Sequence, residues 1–121
     1  MINQKSQSEL LKDFAVEGMQ DLKAQNIVVL DLRGIDQAVT DFFIIAEGTS
    51  NTQVEGIADS VEKVIKENLD EKPWRKEGKE NAQWLLIDYF DVVVHVFLKE
   101  YREFYNLEGL WADAKIERIE D

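Results

Sequence analysis

Residues 84–98 read WLLIDYFDVVVHVFL, two short apolar runs hinged on DYFD. Each run is too short for a helix and rich in large or β-branched side chains, so the pair predicts an antiparallel hairpin over 83–89 and 91–98. With a two-residue connection at Tyr89 and Phe90, Asp88 falls opposite Asp91, Leu86 opposite Val93 and Trp84 opposite His95. Side chains alternate along a strand, and opposed residues share a face. One face is then Leu85, Ile87, Val92, Val94, Val96 and Leu98, uniformly apolar and fit for a core. The other is Trp84, Leu86, Asp88, Asp91, Val93, His95 and Phe97. Two facing carboxylates repel unless water or a cation separates them, and burying them unpaired is costly. The hairpin end is therefore expected to be wet, with an apolar patch beside it rimmed by acids, as in a protein interface. A competing reading puts Trp84 under the C-terminal segment and makes His95 a satisfied core imidazole, capped by Tyr101 or Phe104. Phe90 is a poor residue for the positive φ of a tight hairpin turn.

The rest of the chain supplies partners for this hairpin. Residues 6–25 carry Leu11, Phe14, Ala15, Gly18, Met19 and Leu22 at helical spacing, an amphipathic helix. NIVVLDL, 26–32, reads as a strand, followed by a turn at Gly34 and Asp36 and a short helical or irregular piece at 36–39. DFFIIAEG, 41–48, reads as a central strand buried on both faces. A second amphipathic helix follows over 51–68, with Ser50 and Gln53 placed for a capping box. Residues 70–82 are polar and hold the only proline, Pro73, with a short edge strand near 74–77. After the hairpin come a helix near 100–106, an irregular turn at Gly109 and an edge strand near 115–119. This order predicts a single α/β domain over 1–121, a mixed sheet packed with helices.

Twenty-five acids against 14 bases leave a formal charge of −11. Nucleic-acid affinity depends on cations that displace counterions, so little direct nucleic-acid binding is expected. Lys12, Lys23, Lys63 and Lys66 are spread among acids. The charge either confers solubility alone or suits a basic protein partner. The chain has no cysteine and one histidine, which excludes a thiolate nucleophile, a Cys-based zinc site and multi-histidine metal sites. No apolar segment approaches the roughly 20 residues that span a bilayer. The start, MINQKSQSELLKDF, has neither a secretory signal's pattern nor a transit peptide's, so a cytoplasmic location is expected.

The strand–GTS–helix at 41–54 has the form of a phosphate-binding turn. Nucleotidyltransferase-like folds follow such a turn with two carboxylates at i and i+2 on a strand, which hold catalytic metals. The strands here carry no such pair, and Ser50 is explained by capping. His95 with Asp88 or Asp91 could form an acid–base pair, but nothing resembling a nucleophile or oxyanion site converges with it. No catalytic residue, metal ligand or cofactor site is expected.

TDFFIIAEGTS, then WLLIDY with DVVVHVF, then REFYNLEGLW, three ordered motifs at compatible spacing, resemble the Iojap family of ribosomal silencing factors over nearly the whole chain. In that family the turn usually reads D-Y-G-D, with glycine where this chain has Phe90, and a charged residue is more usual at Gly109. The resemblance implies a non-enzymatic factor on a nucleotidyltransferase-like fold that lacks the catalytic carboxylates. It further implies binding to the large ribosomal subunit through its fourteenth protein, blocking small-subunit joining when nutrients are short. Trp84, Leu86, Val93, His95 and Phe97 are then the expected apolar contacts, Asp88 and Asp91 the acidic ones, and Tyr89 a rim contact. A nucleotide-handling enzyme on the same fold is the alternative. A homodimer of the free chain through the same sheet face is the third reading.

Overall fold

The computed structural model describes residues 5–78 and 81–120; residues 79 and 80 of the expected 70–82 loop and the first four residues lie outside it. The elements run α1 (Gln7–Asp21), β1 (Gln25–Asp31), β2 (Phe42–Gly48), α2 (Asn51–Leu69), β3 (Arg75–Glu77), β4 (Trp84–Asp88), β5 (Val92–Leu98), α3 (Lys99–Tyr105), α4 (Leu107–Leu110) and β6 (Lys115–Arg118). The strands form one mixed sheet in the order β3-β4-β5-β2-β1-β6. The expected α/β class is what forms, and β2 is central, paired parallel to β5 and antiparallel to β1. Its burial on both faces accounts for the unbroken apolar run FFIIA.

Both long helices lie on one side of the sheet. Their core joins Leu11, Ala15 and Met19 of α1 and Val54, Ile57, Ala58, Val61 and Ile65 of α2 to Leu85, Ile87, Val92, Val94 and Val96 of the hairpin. Gly18 lets the helices touch: a Cβ there would lie 2.7 Å from the Val61 Cα. Ser60 Oγ donates to the Gly18 carbonyl at 2.8 Å across the same contact.

The other side of the sheet holds a second, smaller core of Val28, Leu30, Leu32, Ile45, Phe97 and Leu107, with Phe43, Trp84 and Trp111 packed on it. The segment after β5 folds back over this side and ends in β6, which pairs with β1 at the far edge. It is anchored by a buried ion cluster: Arg102 Nη1 donates to Glu47 Oε1 at 3.1 Å and to the Asn26 carbonyl at 2.5 Å, and its Nε donates to Glu108 Oε1 at 3.1 Å. Asn106, at φ 46°, is the left-handed pivot that brings Glu108 back beneath Arg102.

Two local expectations are corrected, the α2 capping box and the turn at Gly109. The Ser50 side chain caps α2 by accepting from Gln53 N–H, but Gln53 Oε1 reaches Thr49 N–H at 2.7 Å rather than Ser50, so the box is displaced by one residue. A complete capping box instead starts α1, between Ser6 and Glu9. Gly109, expected in an irregular turn, lies inside the one-turn helix α4, while residues 36–39 take the irregular form of the two expected there.

Candidate docking surface

The hairpin closes one residue later than the sequence predicts. Tyr89 N–H donates to the Val92 carbonyl at 2.9 Å and Asp91 N–H to the Tyr89 carbonyl at 3.0 Å, a γ-turn centred on Phe90 at φ 73°. Moving the turn centre by one residue shifts the register by two. Trp84 pairs with Phe97, Leu86 with His95 and Asp88 with Val93. A shift of two leaves every side chain on its expected face, where a shift of one would have inverted one strand relative to the other. Asp88 and Asp91 therefore do not oppose each other. Asp88 Oδ1 accepts Phe90 N–H at 2.8 Å and its Oδ2 lies 3.5 Å from Arg75 Nε, so it stabilises the turn. Asp91 is exposed in the turn and makes no ion pair among the described residues.

Of the expected contact residues, only part reaches the surface. Asp91 is exposed, and Trp84, Leu86 and Asp88 are half-buried. His95 and Phe97 are 3% and 0% exposed, and Val93 is buried beside them, so the expectation that these three face outward is corrected. The cause is the C-terminal segment, which covers this side of the sheet. Tyr105 packs on Trp84 with ring centroids 4.6 Å apart, and Trp84 stacks on Phe97 at 5.0 Å. Of the two expected caps, Tyr101 accepts from Gln83 Nε2 at 3.1 Å through its hydroxyl, and Phe104 is exposed. Tyr89 is also corrected: it belongs to the helix-side core, where burial pushes its hydroxyl pKa up.

His95 is fixed by Trp84. The indole Nε1–H donates to His95 Nδ1 at 3.0 Å, so the imidazole carries its proton on Nε2. Burial holds its pKa down at about 3, and it is a neutral acceptor at physiological pH. The edge of the Phe43 ring meets it at 4.7 Å. A buried, neutral histidine whose acceptor nitrogen is occupied has no free group with which to act as a base.

The turn before α2 is likewise filled from within. The Gln53 side chain accepts from Thr49 N–H and Thr49 Oγ1, and Ser50 Oγ accepts from Gln53 N–H. Two of the donors at this turn, the Thr49 and Gln53 N–H groups, are engaged by the chain's own side chains. Among the described residues no cluster of His, Cys, Asp or Glu could hold a metal ion, and no helix is long and apolar enough to cross a membrane.

The family model described as "ribosomal silencing factor during starvation", RsfS, matches residues 4–121. The chain belongs to the RsfS family. It is 47% identical to a ribosomal silencing factor RsfS of Halalkalibacterium halodurans, covering 95% of this chain and 96% of that one. It is 43% identical to the Bacillus subtilis RsfS, over 95% and 92%. A crystal structure of a Chromobacterium violaceum protein superposes with a TM-score of 0.82 at 34% identity, covering 88% of each chain. The plastid Iojap protein of Zea mays is 39% identical over 78% of this chain but only 40% of its own length. In this RsfS chain, the REFYNLEGLW motif reads as the anchor of the C-terminal cover: Arg102 and Glu108 make the ion cluster, Asn106 the pivot, and Tyr105 and Leu107 the packing. Tyr105 and the exposed Trp74 and Phe90 are surface aromatics absent from the expected set. Trp74 stands just before β3, inside the edge strand expected near 74–77, but nothing in the sequence locates Tyr105 over Trp84.

Proposed function

We propose that this chain binds the large ribosomal subunit through that subunit's fourteenth protein and sterically blocks joining of the small subunit, repressing translation under nutrient limitation. It acts as one domain over 1–121, in the cytoplasm, as a binding protein without metal, cofactor or catalysis. The observation that carries this reading is the outer face of the β4–β5 hairpin: half-buried Trp84 and Leu86 lie along β4, and further on, in the turn, Asp91 holds an exposed carboxylate with no ion pair among the described residues. An acidic rim around aromatic and aliphatic surface fits a basic protein better than RNA. A net charge of −11 favours the same partner. Family membership over nearly the full length supports it independently.

Within this reading Trp84, Leu86, Asp88 and Asp91 make the contact. Val93, His95 and Phe97 act from beneath, holding Trp84 in place, and Tyr89 holds the turn from the helix side. The test is co-sedimentation with isolated large subunits. Asp91→Lys leaves an exposed position's fold intact and is expected to weaken binding and flatten its salt dependence. Trp84→Ala, checked for folding by its melting curve, is expected to cost ~2 kcal/mol or more of binding. Wild-type affinity in both variants would refute the surface.

A further inference from the structure

Phe90 is held where a bulky residue is out of place. Its φ of 73° lies in the left-handed region, at the centre of the positive-φ form of a γ-turn, the rarer and more strained kind. Glycine would occupy it freely. The ring is not hidden in return. It packs on Trp74, with centroids 4.7 Å apart, yet each of the two residues remains 59% exposed. Mutual cover therefore does not explain the pair, and a strained, displayed side chain points to use.

What the pair displays is specific. The Arg75 guanidinium already lies over the Trp74 ring at 5.5 Å, and it is held there by Glu77 at 3.0 Å and Asp88 at 3.5 Å. One ring of the pair thus seats a cation supplied by the chain itself. Among the described residues Phe90 has no such cation, and the next residue, Asp91, offers an exposed carboxylate. An aromatic face with a carboxylate at its side suits a lysine or arginine: the ring quadrupole attracts the charge and the carboxylate pairs with it.

We propose that Phe90, backed by Trp74 and flanked by Asp91, is a cation seat that takes an arginine or lysine side chain of the basic protein partner, extending the docking surface around the hairpin tip. This rests on the docking reading above. It makes Phe90 a residue that sets affinity for the partner at the expense of local backbone strain.

The test is the affinity of wild type, Phe90→Gly, Phe90→Leu and Phe90→Tyr for isolated large subunits at low and raised salt, with melting curves for each. Phe90→Gly removes the strain and the ring, so the variant is expected to fold and to bind roughly two- to fivefold more weakly. Phe90→Leu keeps apolar bulk without a π face and is expected to weaken binding to the same extent, whereas Phe90→Tyr keeps it. Wild-type affinity in both Phe90→Gly and Phe90→Leu overturns the seat while leaving the docking reading standing. A loss in Phe90→Gly that Phe90→Leu restores overturns the cation assignment in favour of simple apolar cover. If wild type itself does not bind large subunits, the docking reading fails and the seat with it.

Discussion

At the residue scale, His95 decides between the two readings of the hairpin. Its imidazole accepts the Trp84 indole proton and is sealed by Phe43 and Phe97, so it is structural. The chemistry has a measurable sign. Unfolded, His95 binds a proton near pH 6.5; folded, burial lowers its pKa to about 3. Between these values the unfolded chain holds the extra proton, so His95 favours folding fully above pH 6.5, and that contribution is lost as pH falls through the window. Urea unfolding from pH 4 to 6 should show His95→Gln with a shallower pH slope than wild type, by up to about 1.4 kcal/mol per pH unit. Equal slopes would mean that the imidazole is not sealed. Gly18 gives a second test, because a methyl group there meets the Val61 backbone. Gly18→Ala should lose about 1–3 kcal/mol in the same assay despite alanine's better helix propensity. Alternation along the strands made the faces legible, since a period of two survives a register error of two. Which of those residues reach water was not legible, because their cover comes from residues 105–111, beyond any local pattern.

At the element scale, the C-terminal segment is held by few groups. Glu47 sits in a central strand whose other residues are apolar, and its charge is tolerable only because Arg102 reaches it. Arg102→Met should therefore destabilise by about 3–5 kcal/mol, as the buried carboxylate is left alone, and adding Glu47→Gln should recover part of that loss. Hydrogen exchange should show the loss first in β6 and α4, before the helix-side core. The α2 N-terminus supports a different expectation. With Gln53 and Ser50 occupying the turn, magnesium and a nucleoside triphosphate should leave the melting temperature unchanged; a rise of several degrees that Ser50→Ala removes would revive the nucleotide-handling alternative. Runs such as FFIIA and VVVHV located the strands. The displaced cap and the late turn escaped because each depends on which side chain wins a particular N–H, a choice that residue type alone does not make.

At the scale of the whole molecule, one side of the sheet is closed by two helices and the other only in part, by a segment ending in an exposed edge strand. The mixed sheet with β2 at its centre followed from the order of elements and the single central apolar run, while the docking set was only half legible: Asp91 is exposed, Trp84, Leu86 and Asp88 are half-buried, and the rest lie beneath. A net charge of −11 makes binding to a basic partner sensitive to screening, so affinity for the large subunit should fall as salt rises from low to physiological strength. The most direct measurement is a subunit-joining assay: purified chain is titrated into large subunits before small subunits are added, and joined ribosomes are separated by sedimentation. The account predicts that joined ribosomes fall as the chain is added, with the chain found on free large subunits. Undiminished joining at saturating chain, or the chain co-sedimenting with joined ribosomes, would contradict it.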